Sequence, residues 1–186
     1  MSFPAMLERL ETGLAWVNDR VIVAFKWLAI ALLAIMLIIV DIAVFMRYVM
    51  NDALAWSEEI AKFVMVWLTF FVAPIGLRMG AHVGIEVILG QLRGRIRQFL
   101  IMMIFAGIIA LMVVFVKEGA FMTWNARIQR ASTIDISIFY VYICMPIGSF
   151  VVAMIALEYM VNALRGVIDP ANAKPTLTQQ DAVRAE

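Results

Sequence analysis

Four apolar runs separated by short charged stretches set the layout of the chain. They extend from Trp27 to Phe45, Ile60 to Leu77, Phe99 to Val116 and Ile138 to Leu157. Each is about 18–20 residues long, enough to cross roughly 30 Å of hydrocarbon as a helix rising 1.5 Å per residue. None alternates as a barrel strand would, and a backbone in lipid must satisfy its own hydrogen bonds, so each run predicts a transmembrane helix. Upstream, Phe3, Met6, Leu7, Leu10, Leu14, Val17 and Val21 recur at helical spacing, while Glu8, Arg9, Glu11, Asn18, Asp19 and Arg20 fill the other face. That pattern predicts an amphipathic helix over 1–24, lying in the membrane interface with its polar side in water. The predicted fold is an all-α integral membrane protein: four transmembrane helices within 25–166, plus the N-terminal interfacial helix. Residues 167–186 are polar and contain Pro170 and Pro175, which predicts a mobile tail.

Composition agrees with the pattern. Hydrophobic residues make up 65% of the 186, charged residues 16%, and the mean hydropathy is +0.95. Soluble domains carry about 25% charged residues. The net charge of +1 and the absence of a basic stripe leave no footprint for nucleic acid. The first residues mix acids and bases and are followed by no A-x-A-like cleavage site, which argues against a cleavable signal peptide. The single cysteine, Cys144, lies inside an apolar run and is read as a packed residue.

Loop charges set the expected orientation. Arg9, Arg20, Lys26, Arg78, Arg93, Arg95, Arg97, Arg165, Lys174 and Arg184 fall on one side of the four spans. Only Arg47, Lys62, Lys117, Arg127 and Arg130 fall on the other. Both termini are therefore expected in the cytoplasm.

The second span has charge at both ends. "WSEE", with Trp56, Glu58 and Glu59, opens it, and "RMGAHVGIE", with Arg78, His82 and Glu86, closes it. Two readings stand for the outer acids. They complement the positive end of a helix dipole, with Ser57 as N-cap and Trp56 in an interfacial aromatic belt, or they dock a partner. Arg78, His82 and Glu86 share one face of a continuing helix, and Gly76, Gly80 and Gly84 repeat at the same spacing, which permits close helix approach. Charges inside a span are expensive and usually pair, so Asp41 is expected to pair with Lys62 or Arg47. Asp41 lies too near one surface for a central carrier site. With one histidine, neither a metal site nor bis-histidine haem ligation is expected. Pro74 and Pro146 lie within spans and can bend them. No Ser/His/Asp set, P-loop or dinucleotide-binding turn is visible, so no enzyme activity is expected.

The stretch "RYVMNDALAWSEEIAKFVMVWLTFFVAPIGLRMGAHVGIEVI" resembles the small membrane subunit of tripartite ATP-independent periplasmic (TRAP) transporters, the DctQ-like family. The resemblance rests on Arg47 and Tyr48, on Trp56, Glu58 and Glu59, and on Arg78, Gly80, His82, Val83, Ile85 and Glu86. It rests further on Tyr142, Pro146, Ile147 and Gly148 in the fourth run. Glu86, where aspartate is common in the family, and Val72-Ala73-Pro74 depart from its usual pattern. The resemblance implies a four-helix subunit of the bacterial cytoplasmic (inner) membrane, in contact with lipid. Its implied partners are a large permease (M) subunit, which uses sodium ions, and a periplasmic substrate-binding protein that delivers an organic acid. It implies a scaffold that carries no cofactor or substrate site itself. Candidate docking or subunit-interface residues are Arg47, Tyr48, Trp56, Glu58, Glu59, Lys62, Arg78, His82, Glu86 and Pro146. The competing class is an autonomous four-helix proton-coupled exporter, which needs a carboxylate near mid-depth.

Overall fold

A computed structural model describes residues 3–79 and 95–168, with side chains over 9–79 and 98–165. Helix α1 spans Phe3–Tyr48, α2 Ala55–Arg78, α3 Arg95–Asn125, α4 Phe139–Tyr142 and α5 Cys144–Ile168. A single 3-10 turn, Ala126–Ile128, follows α3. Four stretches are long and apolar enough to cross a membrane: Arg9–Tyr48, Ala55–Arg78, Gln98–Ile128 and Phe139–Arg165. The chain is an all-α multi-pass membrane protein.

The helices outrun the apolar runs because a helix does not stop where the hydrocarbon does. The largest difference is in α1. The amphipathic segment and the first span form one unbroken helix of 46 residues, about 69 Å long. Two of its polar positions turn inward, while Arg9, Asp19 and Arg20 stay exposed. Glu11 is 5% exposed and Asn18 1%, whereas Leu10, Trp16 and Val17 are exposed. The physical reason is partnership: Glu11 and Asn18 on α1 meet complementary groups on α5, while Val21 and Ile22 pack against the core.

Helix α5 is the hub. It packs against α1, α2 and α3, while α1 otherwise packs on α2. The most apolar part of the fourth span is 44% buried, against 6% for the first. Ile155, Ala156 and Ala163 of α5 are fully buried, and Phe25, Phe71, Phe105 and Tyr159 from the four long helices join the same core. Close approach at the hub depends on two glycines. A Cβ on Gly148 would lie 2.6 Å from the Phe70 carbonyl oxygen of α2, and one on Gly119 would lie 3.0 Å from Met145 Cγ. Small residues at such crossings let helix backbones meet.

The fourth span is interrupted between α4 and α5. Pro146 has no N–H, so the Tyr142 carbonyl cannot receive the usual bond from four residues on. Ser57 is not the cap of α2. Leu54 takes that position, and the Ser57 hydroxyl donates to the Leu54 carbonyl at 2.7 Å from inside the first turn. Between α1 and α2 the chain reverses through Asn51 at φ 51°, a left-handed conformation that asparagine tolerates better than most residues.

Candidate functional site: two charged layers and an outer loop

Polar side chains gather at the two ends of the bundle. On α2 the layers are marked by Glu58 and Arg78, twenty residues and so about 30 Å apart, the thickness of the hydrocarbon.

At the Arg78 end, three helices meet. Arg78 donates from Nη1 to Glu158 Oε1 of α5 at 2.7 Å and from Nη2 to Asp19 Oδ1 of α1 at 2.5 Å. Asn18 Nδ2 donates to the other Glu158 oxygen at 2.6 Å. The Arg78 guanidinium lies over the Tyr159 ring, 5.7 Å from its centroid, and the Tyr159 hydroxyl donates to the Arg78 carbonyl at 3.4 Å. Two turns further along α1, Glu11 pairs with Arg165 near the end of α5. A fork-shaped guanidinium suits this task because it bonds two carboxylates at once.

Sequence reasoning singled out Arg78 but missed its partners. Glu158 follows Leu157, the last residue of the fourth apolar run, and Arg165 reads from the sequence as a loop charge. A carboxylate flanked by Ala156, Leu157, Tyr159 and Met160 was the available signal. Among the described residues Arg78 finds its partners across helices, and α2 ends there with Met79 as its C-cap. His82 and Glu86 lie outside the described residues.

At the other end, Arg47 at the end of α1 pairs with Glu58 in the first turn of α2. Tyr48 and Trp56 are exposed beside them. Glu59 has a different role. Its carboxylate accepts from the Ser132 and Thr133 amides, each at 2.8 Å, and from the Thr133 hydroxyl. The acid thus holds the loop between α3 and α4. That loop folds back on itself through the Arg130–Ser137 bridge, the Ala131 N–H to Ile136 carbonyl bond at 2.9 Å, and an Arg130–Asp135 ion pair at 2.7 Å. Ile128 in this segment is 91% exposed, and Trp124, Ile136 and Tyr140 are exposed as well. Trp67 donates from Nε1 to the Tyr140 carbonyl at 2.9 Å, a second tie between α2 and this end.

The expected Asp41 pairing is absent. Asp41 and Lys62 are both exposed, and neither takes part in an ion pair among the described residues. Arg47 is engaged by Glu58 instead, because the reversal at Asn51 sets the last turn of α1 beside the first turn of α2. Asp41 is left facing outward. Among the described residues no group of three His, Cys, Asp or Glu side chains converges to hold a metal ion.

These arrangements join helices and hold the loop between α3 and α4. The family model for the DctQ component of tripartite ATP-independent periplasmic transporters matches residues 36–166. The chain is 31% identical over 106 residues to the C4-dicarboxylate TRAP transporter small permease protein DctQ of Rhodobacter capsulatus, covering 52% of this chain and 43% of the relative. It is 33% identical over 69 residues to a putative TRAP transporter small permease protein of Haemophilus influenzae, covering 37% of this chain and 43% of that one. It is 19% identical over 153 residues to the sialic acid TRAP transporter small permease protein SiaQ of Vibrio cholerae, covering 82% and 88%. The alignments to the first two relatives span less than half of the length of each. With four membrane-length helices among the described residues, charge layered at both ends of the second, and a family match running from the last third of α1 to the end of α5, this chain belongs to the DctQ component family of TRAP transporters.

Proposed function

We propose that this chain is the scaffold subunit of a sodium-coupled secondary transporter in the bacterial cytoplasmic membrane. It stabilises a large permease subunit that carries the substrate and the sodium sites. A periplasmic binding protein delivers an organic acid to that complex. The names of two relatives, for C4-dicarboxylate and for sialic acid, support an organic acid as the substrate class. The loop charges support cytoplasmic termini, which puts Arg47, Glu58, Glu59 and the 126–138 loop on the periplasmic side.

One observation carries the scaffold reading. The described ion pairs of the helices lie at the two ends of the bundle, and the core between them is built from apolar and aromatic side chains. Such a bundle holds its own helices in register, and among the described residues no ion pair lies in the core between its two ends. The outer loop held by Glu59 adds an exposed apolar surface, suited to contact with the binding protein.

The test is reconstitution into liposomes with a sodium gradient. Uptake of an organic acid is expected with both membrane subunits and the binding protein, and none with this subunit alone. Robust uptake by the isolated chain would overturn the scaffold reading in favour of an autonomous carrier.

A further inference from the structure

Asp41 turns away from the described helices that pack on α1. Helix α1 presents Leu32, Met36, Ile39, Ala43 and Met46 as its half-buried side. Asp41 is two residues from Ile39 and from Ala43, so it lies about 200° round the helix from each. It shares the outward side with Leu37, Ile38, Phe45 and Tyr48, all exposed. It makes no ion pair or hydrogen bond among the described residues.

Depth makes this informative. Asp41 lies six residues, or about 9 Å, inward of Arg47, which marks the outer layer. Its short side chain cannot return to that surface. Lys62, about 6 Å inward of Glu58 on α2, has a stem long enough to do so. Next to this outward side, a groove of about 230 Å³ that Asp41 itself does not line runs between α1 and α2, bordered by Val40, Ala43, Val44, Tyr48 and Ala61 and ending at the Arg47–Glu58 pair.

We propose that the outward face of α1 around Asp41, with this groove, seats a membrane helix of the large permease subunit that presents a basic side chain at the depth of Asp41. The inference rests on the scaffold reading above. Complementarity selects the occupant. Acyl chains offer a carboxylate no hydrogen-bond donor. A second copy, packed two-fold about this face, would bring like charges together, because such a contact sets the same patch against itself.

The test uses the assembled transporter. A photoreactive benzoylphenylalanine is placed at Ile38 or at Phe45, with Val113, exposed on α3, as the control position. Adducts with the large subunit are expected from Ile38 and Phe45 and not from Val113. Asp41→Ala should lower recovery of the large subunit with this one by roughly three- to thirtyfold, the range of interhelical polar contacts in membranes. The thermal midpoint of the isolated chain should stay unchanged. Adducts only with lipid or with a second copy would overturn the proposal. So would adducts from Val113 as readily as from α1, or undiminished recovery of Asp41→Ala. If the unmodified complex assembles and transports while any of these holds, only this face is wrong. If the two subunits do not assemble at all, the scaffold reading falls with it.

Discussion

Arg78 on α2 and Glu158 on α5 form an ion pair at 2.7 Å, with side chains 18% and 9% exposed. Asn18 completes the coordination of Glu158 from α1, so one carboxylate joins three helices. Removing one member of a mostly buried pair leaves the other charged and unsatisfied. Arg78→Leu is expected to destabilise the bundle by about 3 kcal/mol. The check is the thermal unfolding midpoint in detergent. Arg78→Lys should fall between the two, because an ammonium cannot reproduce the two-pronged contact with Glu158 and Asp19.

The packing of α5 on α2 makes a separate prediction. Gly148 faces the Phe70 carbonyl with no room for a methyl group, whereas Gly107 on α3 has nothing within 4 Å. Gly148→Ala should cost about 1–3 kcal/mol, the usual penalty of overpacking. Gly107→Ala should be neutral or stabilising by up to about 1 kcal/mol, since alanine is the better helix former. Paired melting curves of the two variants test this. Equal effects would mean that the close crossing is wrong.

The N-terminal part of α1 is expected to stay docked on α5. In a background carrying Cys144→Ala, cysteines replacing Asn18 and Met154 should join within one chain through a short bifunctional thiol reagent, since Asn18 donates to the Met154 carbonyl at 3.4 Å and the Arg78–Glu158 pair is kept. Cysteines replacing Leu10 and Met154 should not join, because Leu10 faces outward. A helix lying flat on the membrane surface, with its polar side in water, would give neither product.

Glu59 and Glu58 are expected to separate in their effects. Glu59→Ala removes the acceptor of the Ser132 and Thr133 amides, so exchange of those two amides should accelerate in hydrogen–deuterium measurements. Glu58→Ala removes only an exposed pair with Arg47 and should leave those amides unchanged. In the assembled transporter, Glu59→Ala should raise the half-saturating concentration of binding protein more than Glu58→Ala does. Equal, strongly salt-dependent effects would instead mean that the acids themselves are the contact, since exposed charge mainly steers encounter.

The sequence by itself determined that this is a membrane protein of four spanning helices, because apolar runs of that length have one spanning solution in lipid. It also located the charged ends of the second span, since a charge in hydrocarbon is costly enough to mark a boundary. Arg47, Glu58, Glu59 and Arg78 were legible as residues that matter, but not what each one touches. Partners such as Glu158 for Arg78, or Ser132 and Thr133 for Glu59, are separated by more than seventy residues along the chain, and no local spacing encodes them. The N-terminal helix shows the limit most clearly. Its amphipathic pattern established a polar side, and Arg9, Asp19 and Arg20 of that side are exposed. Only the tertiary structure could decide that Glu11 and Asn18 are buried, because that is favourable solely where Arg165 and Glu158 of α5 stand ready to meet them.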